Sequence, residues 1–192
     1  MVQGASDYHA SRRTGEAIGM QAFRTVEAAR LTLSRGTTTV RDLTGRDYID
    51  VQLRDAFAEG IIDGPRVLTS GLGLTITGGH VHMRCVEVDG PDAVRHEVRN
   101  HVKHHVDWIK LMGVTGGMST LGRHPLAPQF SREEIRAAVD EAHRASCRVA
   151  AHAHGPEGIR NAVLEGVDTI EHGIYLDDHA AEIMKRHREN SL

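Results

Sequence analysis

Several of the 14 histidines in this 192-residue chain stand at the ends of short apolar runs. His152 and His154 end the run RVAAHAH, and His172 ends the run DTIEH further along the chain. Lys110 lies inside a third apolar run, WIKLM. Neutral imidazole is a common ligand of zinc and related divalent metals. These residue types indicate metal-dependent chemistry, provided that the fold brings the three runs together.

Lys110 has more than one interpretation. Because an unpaired buried ammonium is costly, the lysine either pairs with a carboxylate or extends to the strand end, or burial lowers its pKa and makes the amine reactive. A neutral amine forms a Schiff base with a carbonyl compound, or it takes up carbon dioxide and becomes a carbamate that binds metal as a carboxylate does. The residue alone leaves these alternatives open.

A further pair, His80 and His82, follows two glycines in the segment TITGGHVHM. In an extended segment this spacing places both imidazoles on one face, which suits a single metal ion. A flexible polar loop is the alternative. The glycine-rich run 113–117 is a weaker pattern that would suit an anion. Four other histidines lie mostly off the valine stripe of one predicted helix, and we expect a solvated face there: His96, His101, His104 and His105.

The elements that must position these residues alternate along the chain. The predicted strands are 37–43, 66–71, 107–112, 148–153 and 168–173. Amphipathic segments between them predict helices, and Ser131 with Glu134 predicts a capping box at the start of one. Strands alternating with helices indicate an α/β fold with a parallel sheet. An open doubly wound sheet and a (β/α)8 barrel both fit this order.

The predicted strands carry polar residues at their carboxyl ends. Asp42, Lys110, His152 and the pair Glu171–His172 occupy this position on four different strands. In α/β folds the functional groups gather at the carboxyl edge of the parallel sheet. The pattern therefore predicts one site that several strands share.

Composition narrows the classes of partner. A net charge of −3 argues against nucleic acid, and no apolar run approaches the roughly 18 residues of a membrane span. The first thirteen residues lack the apolar core of a secretory signal. Two cysteines, Cys85 and Cys147, make no disulfide framework. We expect one domain over residues 1–192, a cytoplasmic location, and neither nucleic acid nor membrane as a partner.

Taken together, four segments resemble the amidohydrolase superfamily, in particular the imidazolonepropionase-like branch that includes Xaa-Pro dipeptidase-type enzymes. They are GTTTVRDLTG (36–45), DGPRVLTSGLGLTITGGHVHM (63–83), DWIKLMGVTGG (107–117) and the long segment 130–173. The resemblance extends roughly from Ala22 to Ile183.

The resemblance implies a metal-dependent (β/α)8 barrel joined to a small β-sandwich. Lys110 would be a carbamylated lysine that bridges two divalent metals, usually zinc, and His152 and His172 would be ligands on family strands 5 and 6. A metal-bound hydroxide would attack the carbonyl of a small amide or dipeptide and cleave its C–N bond. Three further histidines would lie near the substrate: His80, His82 and His154.

The chain departs from the family pattern at both ends. The family's first-strand H-x-H would lie before Met1, and its strand 8 aspartate would lie after Leu192. We therefore expect a partial barrel of about five parallel βα units, family strands 2–6, without the β-sandwich. Whether the chain is itself an enzyme stays open. The alternatives are a catalytically incompetent truncated fragment that acts only through chain association, and a Schiff-base lyase that uses Lys110. Open sheet edges predict self-association.

Overall fold

Helices and parallel strands alternate through the computed structural model, which describes residues 17–116, residue 124 and residues 126–189. The helices are α1 (Ile18–Ser34), α2 (Ile49–Ala58), α3 (Pro91–Lys103), α4 (Arg132–Arg144), α5 (Pro156–Leu164) and α6 (Asp178–Glu189). The strands are β1 (Thr39–Asp42), β2 (Arg66–Thr69), β3 (Gly73–Thr75), β4 (Cys85–Glu87), β5 (Trp108–Leu111), β6 (Arg148–Ala153) and β7 (Thr169–His172). A short 3-10 helix spans His82–Arg84.

The strands form two parallel sheets that adjoin each other. β1 pairs with β2, and the larger sheet has the order β4-β3-β5-β6-β7. The Asp107 N–H, just before β5, donates to the Thr69 carbonyl at the end of β2 over 2.9 Å. β2 therefore lies beside the start of β5, whereas β3 pairs with its end. Within the described residues the sheet does not close, so the α/β fold is a partial TIM-type barrel.

All five predicted strands are present, each within two residues of its predicted limits. They are β1, β2, β5, β6 and β7. β3 and β4 were not predicted, because strands of three residues are too short to show a period.

The core lies between the central strands and helices α3 and α4. Ile109 on β5 and Val149 on β6 are fully buried, and Val94 and Val98 of α3 pack into the same cluster. The valines lie four positions apart, so they occupy one face of the helix. The four residues of β5 are all buried, as are those of β6 after Arg148, so these two strands form the centre of the fold.

Local signals fix where the helices begin. Ser131 Oγ accepts the Glu134 N–H over 3.2 Å, and the Glu134 carboxylate accepts the Ser131 N–H over 2.7 Å. This confirms the predicted capping box. Pro156 begins α5 three residues after β6 ends, so the strand end that carries His152 and His154 leads directly into a helix. None of the helices in the described part of the chain combines the length and the apolar character that crossing a bilayer requires.

Candidate metal and substrate site

Lys110 is almost completely buried in the middle of the sheet. It lies on β5, its neighbours in register are Gly73 on β3 and Ala150 on β6, and only 3% of its surface is exposed. Burial lowers the pKa of Lys110 to about 8, while the nearby Glu171 carboxylate opposes this change and Arg41 adds to it. A larger fraction of the amine is therefore neutral near pH 7 than in an exposed lysine.

Three imidazole rings surround the ring of His152 at the carboxyl end of β6. His80 stacks on His152 with ring centroids 4.2 Å apart. His154 and His172 approach the same ring edge-on, at 4.5 and 4.6 Å. The structure thus brings together residues from the loop after β3, the end of β6 and the end of β7, as parallel strands with shared carboxyl ends require.

The imidazoles at the centre of this cluster are held in the neutral state. Burial, with the neighbouring His80 and Lys110, lowers the pKa of His152 to about 2. Burial also lowers the pKa of His80 to about 4, with further contributions from His154 and Lys110. The pKa of His172 is lowered for the same reason. Neutral imidazole is the form that binds metal.

Two ring nitrogens of the cluster are buried without a hydrogen-bond partner, His152 Nε2 and His154 Nδ1. Buried polar atoms nearly always have a partner, so each orphaned nitrogen calls for one, such as a water molecule or an ion. Within the described residues, no group of three or more His, Cys, Asp or Glu side chains has the arrangement of a complete metal site. His152, His172 and Lys110 are chemically suitable ligands for a divalent metal. They would form only a part of its coordination shell.

The turn after β6 is held by a residue that sequence reasoning missed. Thr115 is fully buried, and its Oγ1 accepts the N–H of His154 over 2.6 Å and that of Gly155 over 3.0 Å. These bonds fix the backbone between His152 and the start of α5. A threonine within a glycine-rich loop has no distinctive sequence signal.

An ion pair between Arg41 and Glu171 connects β1 with β7, the first and the last strand in chain order. Glu171 on β7 accepts hydrogen bonds from Arg41 on β1 over 2.7 Å and from Thr169 over 2.8 Å. The Arg41 guanidinium also lies 4.4 Å from the centre of the Trp108 ring on β5. The two adjoining sheets together are therefore curved enough for side chains of β1 and β7 to meet.

The expected shared face of His80 and His82 was wrong. Val81 between them adopts a left-handed conformation with φ +55°, and His82 begins the 3-10 helix. The His82 Nδ1 atom lies 3.8 Å from the Glu87 carboxylate, whereas His80 points to His152. The segment is not extended, so the alternation of faces that the prediction assumed does not apply.

The expected solvated face was wrong for one of the four histidines, of which two lie on α3 and two directly follow it. His101 is fully buried, and its Nε2 lies 2.9 Å from the Leu72 carbonyl oxygen. Its Nδ1 lies 3.0 Å from the Glu97 carbonyl oxygen. His96, His104 and His105 are exposed, as expected. In the glycine-rich run, Gly116 leaves space for the His80 ring, and Gly117 lies outside the described residues; an anion at this run stays a prediction.

Comparison with known proteins gives consistent relatives. Ochratoxinase of Aspergillus niger is 32% identical over 178 residues, covering 80% of this chain and 36% of the relative. A crystal structure of a Xaa-Pro dipeptidase with bound methionine in the active site has a TM-score of 0.81 at 34% identity, covering 92% of this chain and 48% of the other. A prolidase complexed with N-methylphosphonate-L-proline has a TM-score of 0.80 at 34% identity, with 91% and 46% coverage.

The chain thus spans between about a third and a half of the length of these relatives. A sequence profile described as "Amidohydrolase family" matches residues 13–188, which is most of the chain and includes every residue of the histidine cluster. The chain belongs to the amidohydrolase family.

Proposed function

We propose that the chain carries the central part of the active site of a hydrolase that cleaves amide C–N bonds. The observation that carries this proposal is the convergence of His80, His152, His154 and His172 beside the buried Lys110. Relatives named Xaa-Pro dipeptidase and prolidase support a substrate with an amide or peptide-like bond. We therefore infer a small amide or a dipeptide as the substrate class.

Three residues would hold divalent metal in this site, with zinc as the inferred ion: Lys110 as a carbamate, His152 and His172. The orphaned His152 Nε2 supports this assignment, because coordination would satisfy it. The lowered pKa of Lys110 supports carbamate formation, because only the neutral amine adds to carbon dioxide. A bound divalent metal lowers the pKa of water and polarises the carbonyl group of the substrate.

The other histidines would face the substrate. His80 and His154 flank His152 on two sides, and both are placed to exchange hydrogen bonds with a substrate that lies over the cluster. His82 lies further out, beside Glu87, and we assign it to the rim of the site. The burial of His80 and His152 limits the access of water to the space between them.

Metal stoichiometry tests this function directly. After incubation with zinc and bicarbonate, we expect about one or two zinc ions per chain by plasma mass spectrometry. Lys110→Ala and His152→Ala should each remove the bound zinc. His179→Ala is the matched control, because His179 is exposed on α6 and outside the cluster. Carbon-13 bicarbonate should give a carbamate signal in the unaltered chain that Lys110→Ala abolishes.

Two results would contradict the proposal: a chain that binds no zinc under these conditions, and a Lys110→Ala variant that binds as much as the unaltered chain. A Schiff-base reaction at Lys110 predicts instead an adduct that borohydride traps with a carbonyl compound. The three imidazoles around His152, with Lys110 near enough to lower the pKa of His152, favour the metal-dependent reaction.

A second candidate function is association of two copies through the open edge of the sheet. β7 pairs only with β6 in the described residues, and the residues after it expose large apolar side chains. Ile174 is 67% exposed and Tyr175 is 54% exposed. We expect a mass above that of the monomer in chromatography coupled to light scattering at micromolar concentration. Ile174→Asp should return the chain to a monomer, and a sharp monomer peak for the unaltered chain would contradict the association.

A further inference from the structure

The amide of Gln129 joins two loops at the edge of the histidine cluster. Its Oε1 accepts the backbone N–H of His80 over 2.8 Å, and its Nε2 donates to the Gly116 carbonyl over 3.2 Å. The Gln129 backbone N–H donates to the Val114 carbonyl over 3.0 Å. Both polar atoms of the Gln129 amide are therefore hydrogen-bonded, and the Gln129 backbone is bonded to the loop after β5.

Glycines leave the space that this arrangement needs. A Cβ atom on Gly79 would lie 3.0 Å from Gln129 Oε1, and one on Gly113 would lie 2.9 Å from the same oxygen. A Cβ atom on Gly116 would overlap the His80 ring. The glycines on both loops thus allow the amide and the imidazole to approach the backbone closely.

The bond to His80 acts on a backbone that is sharply turned. Val81, the next residue, has φ +55°, a conformation that a β-branched residue seldom adopts. The His80 ring extends from this turn to stack on His152 at 4.2 Å. A rotation of the peptide before the turn would swing the ring away from His152, and the Gln129 bond opposes that rotation.

We propose that Gln129 is a positioning residue that holds His80 over His152 by fixing the His80 backbone against the loop after β5. The effect of this positioning on the reaction rests on the function proposed above, in which His80 faces the substrate. The positioning itself depends on neither metal nor substrate, so it is testable separately.

The reactivity of His80 measures this positioning. Diethylpyrocarbonate modifies accessible neutral imidazoles, and His80 is only 7% exposed, so its modification requires local opening. Peptide mass spectrometry measures the rate at which His80 is modified. In the metal-free chain, we expect Gln129→Met to increase this rate about tenfold. Gln129→Glu retains the acceptor for the His80 N–H but not the donor to Gly116, and we expect an increase of about threefold.

Two control variants separate positioning from general stability. Gln52→Met makes the same exchange at an exposed site on α2 and should leave the rate for His80 unchanged. Val98→Ala weakens the core on α3 and should lower the melting temperature without a selective effect on His80. The histidine ring signals in nitrogen-15 NMR spectra should shift for His80 in Gln129→Met and Gln129→Glu, and stay in place in Gln52→Met.

The proposal is overturned if Gln129→Met leaves the rate for His80 unchanged, or if Val98→Ala raises it equally. If Gln129→Met does not fold, an unchanged His80 rate in Gln129→Glu has the same meaning. A chain that fails to bind zinc but shows the selective increase would refute the proposed function and leave the positioning role of Gln129 intact.

Discussion

The two ends of the candidate site differ in how completely the fold surrounds them. Lys110 and His152 lie on strands with a neighbour on each side, and their surfaces are 3% and 7% exposed. His172 ends the outermost strand of the larger sheet, and it is exposed. Central strands thus desolvate their functional groups and set their protonation, whereas the same residue type at an edge keeps contact with solvent.

This difference has a consequence for metal binding. His152 has an orphaned nitrogen and a pKa far below its ordinary value, so under the proposed function it would bind a metal without losing a proton. His172 shares the direction of the pKa shift but lacks the enclosure that fixes its ring. Under the proposed function, the β6 side of the site would be preorganised and the β7 side would be less constrained.

The largest effect should come from the core beneath the central strands. Ile109→Ala on β5 removes a fully buried side chain, and we expect a loss of about 2–5 kcal/mol in the free energy of unfolding. The matched variant Ile174→Ala, at an exposed position after β7, should change it by less than about 0.5 kcal/mol when the chain is diluted until light scattering shows only monomer. Urea denaturation measures both. Equal losses would remove the distinction between centre and edge.

A smaller effect should come from Glu97, the half-buried partner of the buried His101 on α3. The Glu97 carboxylate lies 3.1 Å from His101 Nδ1 and accepts a hydrogen bond from Asn100 over 3.1 Å. The hydrogen bond from His101 is the main cause that lowers the pKa of Glu97 below its ordinary value of 4.5, while burial opposes it. We expect Glu97→Gln to cost about 1–2 kcal/mol at neutral pH.

The sign of the pH dependence follows from this shift. A carboxyl group with a lower pKa in the folded state stabilises the fold above its unfolded pKa, and this contribution disappears as the pH falls through the folded pKa. The free energies of unfolding of Glu97→Gln and of the unaltered chain should therefore differ at pH 7, begin to converge near the unfolded pKa of about 4.3, and coincide only below the lower pKa of the folded state. Exposed His96, which also acts on Glu97, provides a control in His96→Gln. A difference that grows toward acid would contradict the assignment.

The smallest effect should come from the pair that joins the first and last strands. Arg41 and Glu171 are 28% and 23% exposed at their side chains, so solvent screens the pair partly. A double-mutant cycle of Arg41→Met and Glu171→Gln should give a coupling of about 0.2–1 kcal/mol in the free energy of unfolding. Zero coupling would mean that the contact between Arg41 and Glu171 adds nothing to the stability of the fold.

Features that depend on neighbouring residues in the chain were predicted well. The capping box at Ser131 needs only the residue three positions on, and the strand β6 was predicted with its observed limits. The shared face of His80 and His82 failed because the left-handed turn at Val81 has no sequence signal in a valine. The solvated face of α3 failed at His101 because its partner, the Leu72 carbonyl, belongs to a distant segment.

The sequence by itself determined the α/β class, the parallel strands and the set of residues at their carboxyl ends, because periodicity and residue type are local properties. Tertiary structure alone decided which histidines meet, because that depends on strand order, sheet curvature and loop turns. It placed His80 on His152, separated His82 from them, and supplied Gln129 and Thr115 as backbone anchors. Hydrogen bonds between segments far apart in the chain made those choices, and such bonds leave no periodic trace in the order of the residues.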